Sequence, residues 1–180
     1  MIPCRINNLW ALRSQVVDCL GKDQTGKIQY QFNSQGWRGN YEYNFVPDYA
    51  FFGSSSVLGI GVDQSQIFPS LFDRSHNYGL AVDYTNQDIV DSIIDFVSSE
   101  LYSDQTKLAV VWTDRNPDMI RSSLPLFDHL NIVHFFCGEK MPGAHSWSMI
   151  ANLDSDVSDT HMGPKTHQML HKILCSIFKQ

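Results

Sequence analysis

Lys107 to Trp112, KLAVVW, is continuous, β-branched at its centre and without a polar side to turn toward water. A strand of that kind is buried on both faces, which occurs almost only in a parallel sheet covered by helices above and below. Neighbouring segments repeat the requirement. Tyr49 to Gly53, Tyr78 to Val82 and Asn131 to Phe136 are apolar runs of strand length, and Trp147 to Leu153 is a candidate fifth strand. Between them the period changes. Gln87 to Tyr102 carries Ile89, Val90, Ile93, Ile94, Val97 and Leu101 at helical spacing. Pro117 to Leu130 opens with Asn116 as a cap and Pro117 at the first helical position, and Pro125 should kink or shorten it. A last helix opens at Pro164 and runs to the end, with Leu170, Ile173, Leu174 and Ile177 on one face.

Strands alternating with helices predict βαβ units, and right-handed crossovers then give an α/β protein: a three-layer α/β/α sandwich around a central parallel sheet. The first 48 residues differ. An amphipathic helix near Asn7 to Leu20 precedes an extended aromatic region, GKIQYQFNSQGWRGNYEYNF. Trp37, Arg38, Tyr41, Tyr43 and Phe45 either line a binding surface or pack as strands on the core, and packing is the simpler use. With no repeat or linker, residues 1–180 are expected to form a single domain, with residues 1–48 as an N-terminal extension packed on it.

Composition excludes several classes of function. No run of about 18 apolar residues spans a bilayer, and the apolar residues of MIPCRINNLWALRSQ are interrupted by Arg5, Asn7, Asn8 and Arg13, unlike a secretory leader. The formal net charge of -6, with no lysine or arginine cluster, argues against a nucleic-acid partner. Cys4, Cys19, Cys137 and Cys175 form no C-x-x-C pair. The expectation is a cytoplasmic protein with free thiols.

In a parallel sheet, ligands bind outside the carboxyl ends of the strands. Polar residues collect there: Gly53 to Ser56 after the first strand, Asp83 and Tyr84 after the second, Thr113 to Asn116 after the third, Cys137 and Glu139 after the fourth. A serine hydroxyl needs a base within reach and the base an orienting acid. Ser55 is the candidate hydroxyl, and Asp159-Thr160-His161, just ahead of the last helix, supplies an acid and a base. Taken singly, such residues are usually turn or capping groups.

Their order along the chain resembles the SGNH or GDSL-type hydrolases. FFGSSSVLGIGVDQSQIFPSLF, residues 51–72, stands where the family has Gly-Asp-Ser at a strand end. NSQGWRG, residues 33–39, is similar to a lead-in common in bacterial members. Asn77-Tyr78-Gly79 matches the second block, Asp114-Arg115-Asn116-Pro117 partly matches the third, and DTHMGPKTHQML, residues 159–170, looks like the last. The resemblance covers about 150 residues and implies Ser55 as nucleophile, His161 as general base and Asp159 as its acid. It implies an oxyanion hole from the amides of Ser55 and Gly79 and the side chain of Asn116. Asp156 is an alternative acid, and Ser158 an alternative bridging group. Three positions depart from the family: Ser54 replaces an aspartate, Asp114 a glycine and Pro117 an acid. The implied activity is cleavage of a small-molecule or glycan ester, with no metal or organic cofactor. The rival expectation is a non-catalytic module of the same fold that binds a carbohydrate or a protein.

Other constellations have plainer explanations. His167 and His171 lie four apart on the last helix, but no glutamate follows the first, so helix histidines are favoured over a metal pair. Cys137 ends an apolar strand eight residues from His145, which favours a buried thiol over a thiol and base pair. The loop from Gly53 to Gly61 lacks the Gly-Lys-Ser or Gly-Lys-Thr of a phosphate-binding loop.

Overall fold

The computed structural model describes residues 28, 30–39, 41–80, 84–113, 116–136, 145–146, 154 and 162–179. Among the described residues five strands form one parallel sheet: β1 (Tyr49–Gly53), β2 (Ser75–Gly79), β3 (Lys107–Trp112), β4 (Ile132–Phe136) and β5 (His145–Ser146). Their spatial order is β2-β1-β3-β4-β5. The helices are α1 (Ser55–Leu58), α2 (Asn86–Val97), α3 (Pro117–Ser123) and α4 (Pro164–Ile177), with 3-10 turns at Gln64–Gln66, Phe68–Leu71 and Leu124–Phe127. Among the described residues no helix is long and apolar enough to cross a membrane.

Alternate residues of each strand feed opposite faces of the sheet, because a strand has a side-chain period of two. Ala50, Phe52, Leu108, Val110 and Trp112 meet Ile89, Ile93 and Phe96 of α2 and Ile120 of α3 on one side. Phe51, Ala109, Val111 and Phe135 meet Leu170 and Leu174 of α4 on the other. The sheet is therefore covered on both faces, as KLAVVW requires.

Three elements differ from the sequence expectation. β2 begins at Ser75, three residues earlier than expected, and ends at Gly79. Ser75, His76 and Asn77 disguise a strand that is buried throughout: Ser75 Oγ donates to the Pro69 carbonyl at 2.6 Å, Asn77 Nδ2 donates to the Val57 carbonyl at 3.0 Å, and His76 Nδ1 lies 3.0 Å from Tyr78 Oη while its Nε2 is buried with no hydrogen-bond partner among the described residues. α2 stops at Val97, well before Tyr102, while Thr85 and Asp88 close its start with a reciprocal capping box. As expected of Pro125, α3 is shortened: it ends at Ser123 with a 3-10 turn behind it. The fifth strand lies at His145–Ser146, and the expected Trp147 to Leu153 strand lies outside the described residues, as does the expected helix at Asn7 to Leu20.

The aromatic segment ahead of β1 seals the outer edge of β2. Tyr41 Oη donates to the Ser75 carbonyl, and the Asn77 amide donates to Tyr43 Oη at 2.7 Å. Exposed strand edges recruit other chains, and two tyrosine hydroxyls here occupy outward-facing backbone groups. Tyr43 is 2% exposed and stacks on the fully buried His76 at 4.0 Å. Of the candidate binding-surface residues, Arg38 and Tyr43 are core, and Trp37 packs edge-on against Tyr78 at 4.9 Å.

Candidate functional site

The serine turn leaves the middle of the sheet. Gly53 pairs with Gly79 on one side and Val111 on the other, at the carboxyl ends of all three strands. Its φ of +153° and its surroundings exclude a side chain: a Cβ would lie 2.5 Å from Val57 Cγ2 and 2.7 Å from the Val111 carbonyl oxygen. The chain then turns at once into α1. Ser54 is the N-cap in extended conformation, the Leu58 amide returns to the Ser54 carbonyl at 3.0 Å, and Gly59 ends the turn at φ 79°. Ser54, Ser55 and Ser56 are all half-buried. Ser55 is the first helical residue, so its N–H has no acceptor within the helix. No side-chain hydrogen bond occupies its hydroxyl among the described residues.

The second block works differently from the implied role. Gly79 N–H donates to Asn77 Oδ1 at 2.9 Å, while Asn77 Nδ2 holds the Val57 carbonyl. The Gly79 amide thus has an acceptor within the fold, and the oxyanion role implied for it requires that amide to leave Asn77 Oδ1. A Cβ on Gly79 would lie 2.1 Å from the Leu58 nitrogen, so glycine is needed for α1 to seat on β2. Asn77 and Gly79 together fix the far end of the serine turn.

Arg38 fixes the same turn from beneath. Its guanidinium is fully buried and donates to the carbonyls of Leu58 (2.8 Å), Gly59 and Val62 and to Gln64 Oε1 (3.1 Å). Burial pulls its pKa down to about 10, against the opposing influence of Tyr30 and Asp63, so it remains charged at neutral pH. Asn33 shapes the approach by accepting from the Trp37 amide at 3.0 Å. The NSQGWRG segment marked the place, but no sequence rule assigns a buried arginine to carbonyl oxygens twenty residues away.

Asn116 follows β3, the strand beside β1, at the same sheet edge. It sits in the left-handed region (φ 53°, ψ 67°), where asparagine is better tolerated than most residues. Its Oδ1 accepts from the Met119 amide at 3.2 Å and caps α3. An amide held by its oxygen leaves its nitrogen to donate elsewhere. Nearby, buried Asn86 at the start of α2 accepts from the Thr113 amide and hydroxyl at 3.0 and 3.1 Å, joining α2 to the end of β3. Pro117 is the first residue of α3, and Asp114 lies outside the described residues.

His161, Asp159, Asp156 and Ser158 lie outside the described residues as well. The positions on either side are informative. Lys107 Nζ, at the amino end of β3, donates to the Phe178 carbonyl at the far end of α4 at 2.8 Å. A 14-residue helix running back across the sheet covers roughly 21 Å. Gly163 and Met162, the residue after His161, therefore stand toward the carboxyl edge that carries Ser55. Asp154 anchors this end of the helix. Its carboxylate accepts from the amides of Lys165 (2.8 Å) and Thr166 (2.9 Å) and from the Thr166 hydroxyl (2.9 Å), and the Gly163 amide donates to its carbonyl at 3.1 Å. Partial burial works to raise its pKa, but those hydrogen bonds and the Lys165 charge hold it below the ordinary carboxylate value. Asp154 caps a helix from ten residues before Pro164, too far for the local capping signals of sequence.

The helix histidines serve packing. His167 is fully buried, accepts from the Phe68 amide at 3.2 Å through Nδ1 and stacks on the Phe68 ring. Burial first, and the Arg38 charge second, press its pKa down to about 4, against Asp154. His171 is half-buried, with Nε2 3.4 Å from Cys175 Sγ. Cys137 is outside the described residues. Among the described residues no group of three or more His, Cys, Asp or Glu could hold a metal. A cavity of about 900 Å³ opens elsewhere, between the Tyr41 to Phe45 segment and the Asp63 to Arg74 loop, lined by Tyr41, Phe45, Gln64, Phe72 and Arg74. Ser55, Gly79 and Asn116 do not line it.

These features define a parallel α/β protein with a glycine-flanked serine turn at the carboxyl edge of its sheet. Comparison with family models, with curated proteins and with solved structures finds no match.

Proposed function

We propose that the chain is a serine hydrolase of the SGNH or GDSL type that cleaves an ester of a small molecule or glycan. Ser55 Oγ attacks the ester carbonyl carbon while His161 takes its proton, and Asp159 holds the imidazole and stabilises its cation. The tetrahedral intermediate expels the alcohol, which leaves with the proton from His161. Water, or another hydroxyl, then attacks the acyl-serine with His161 again as base, freeing Ser55. The Ser55 amide and Asn116 Nδ2 are the donors left to meet the oxyanion, since the Gly79 amide is engaged.

The observation that carries this reading is the shared sheet edge: a half-buried serine with no side-chain partner among the described residues heads α1, and α4, the helix that follows His161, begins on the same side. Incubation with a fluorophosphonate followed by peptide mass spectrometry tests it. Labelling of Ser55 supports the reading, and an unlabelled chain or labelling confined to another residue overturns it.

The bonded Gly79 amide favours a second reading, a non-catalytic module of this fold that binds a carbohydrate or a protein. The cavity beside Tyr41 and Phe45 suits that role. Saccharide binding by a chain inert to the fluorophosphonate distinguishes it.

A further inference from the structure

We propose that Arg38 is a positioning residue, which clamps the carboxyl end of α1 and thereby sets the attitude of Ser55; the catalytic part of this rests on the reading of Ser55 as nucleophile.

The clamp is local and direct. Leu58 and Gly59, whose carbonyls the guanidinium holds, are the residues whose amides close α1 onto the Ser54 and Ser55 carbonyls at 3.0 and 2.8 Å. One peptide therefore separates the guanidinium from the peptide of Ser55. Carbonyls at the end of a helix point along its axis away from its start, and a cation that gathers them fixes the direction in which the first amides point. The Ser55 amide is one of those. Val62 and Gln64 extend the grip over the next five residues, and Tyr30 completes the floor, with its ring 4.7 Å from the guanidinium carbon and its hydroxyl accepting from the Gly61 amide at 2.6 Å. Gly59 leaves the space this needs, since a Cβ there would stand 3.0 Å from the Arg38 terminal nitrogen.

The choice of residue argues for more than packing. Among the described residues every hydrogen-bond acceptor of this buried cation is neutral, and Asp63 acts on it through its charge alone. Burying a cation whose bonded acceptors are neutral is costly, and replacing buried ionic groups by apolar side chains of similar volume is often neutral or stabilising. What an apolar residue cannot do is hold several carbonyls in one plane, which the rigid fork of arginine does. Lysine, a flexible point charge, keeps the cation and loses the fork.

The test compares wild type with Arg38→Lys, Arg38→Met and Gln64→Leu. Two measurements are made on each: the saturation kinetics of fluorophosphonate labelling at Ser55, and amide hydrogen exchange along the chain. Both Arg38 variants are expected to lower the maximal labelling rate per folded molecule by about 10- to 100-fold, the scale of a small misplacement of a reacting group, while half-saturation stays near wild type. Exchange should accelerate at residues 55–62 and remain unchanged in α2 and β3. Should neither Arg38 variant fold, Gln64→Leu, which keeps the charge and removes one anchor, is to show the same pattern in weaker form. Partial restoration of labelling in Arg38→Ala by added guanidinium ion supports the proposal further. Wild-type labelling rates together with unchanged exchange at 55–62 overturn it. Accelerated exchange confined to 55–62 in a protein whose wild type is never labelled sinks the serine reading and leaves the clamp standing.

Discussion

Gly79 and Leu58 touch through their backbones: a Cβ on Gly79 would lie 2.1 Å from the Leu58 nitrogen and 2.6 Å from its Cα. No rotamer change relieves a clash with main chain. Gly79→Ala should therefore destabilise the fold by about 1–3 kcal/mol, the range of core overpacking, read from urea unfolding. Gly39→Ala is the control, because a Cβ there meets Tyr43 Oη at an ordinary 3.5 Å. Equal losses in the two variants contradict the close seat of α1 on β2.

Asn116 has two separable functions. Its Oδ1 caps α3, and its Nδ2 is the proposed oxyanion donor. Asn116→Asp keeps an acceptor for the Met119 amide and removes the donor. It is expected to hold or raise the unfolding temperature while lowering ester turnover by about 10²- to 10³-fold, the scale for one such donor. Turnover equal to wild type shows that the side chain is a cap and nothing more.

The Asp154 carboxylate caps the start of α4 most strongly when ionised. Its folded pKa lies below its unfolded value, so its contribution is complete above the unfolded pKa and fades as pH falls through the folded one. Asp154→Ala should cost about 0.5–2 kcal/mol at pH 7, with the gap from wild type narrowing below about pH 4. A constant gap from pH 7 to pH 3 rules out the ionised cap.

Among the described residues, three histidines whose pKa burial lowers strongly contribute to the acid response, and burial lowers His171 as well. Burial holds His76 at about 3, with the Arg74 charge adding to it. Burial holds His134 at about 4 against Asp128, and His167 also stands at about 4. Each binds a proton more readily unfolded than folded, so stability is full above about pH 6.5 and declines as pH falls toward 4. His76→Phe should flatten part of that slope in denaturation measured at pH 7, 5.5 and 4. An unaltered slope excludes His76 as a contributor.

Ser55 and Ser54 are distinguished by their places in α1, the first helical residue and the cap. Ser55→Ala should abolish hydrolysis of p-nitrophenyl acetate, a loss of about 10⁴- to 10⁶-fold for a triad nucleophile, with the circular dichroism spectrum unchanged. The wild-type rate should climb with pH through roughly 6 to 7 as His161 becomes neutral. Activity lost in Ser54→Ala and kept in Ser55→Ala moves the nucleophile by one residue.

Periodicity alone determined the layered architecture. KLAVVW has no polar side, α2 and α4 carry one apolar stripe each, and such segments bury their apolar surface only as a parallel sheet between helices. Local chemistry likewise marked the Asn116 cap with Pro117 after it, and the serine turn after Gly53, because a helix start and a glycine exit depend on near neighbours. Tertiary structure decided the rest. SHNYG is a strand because Pro69, Val57 and the Tyr41 and Tyr43 hydroxyls, all from elsewhere in the chain, take up the polar groups of Ser75 and Asn77. The Gly79 amide is taken by a side chain two residues back, Arg38 reaches carbonyls twenty or more positions on, and Asp154 caps a helix that begins ten residues later. Such bonds are invisible in sequence for one reason. Their partners are fixed by where the folded backbone brings the donors and acceptors, and the residue types involved are compatible with many other partners.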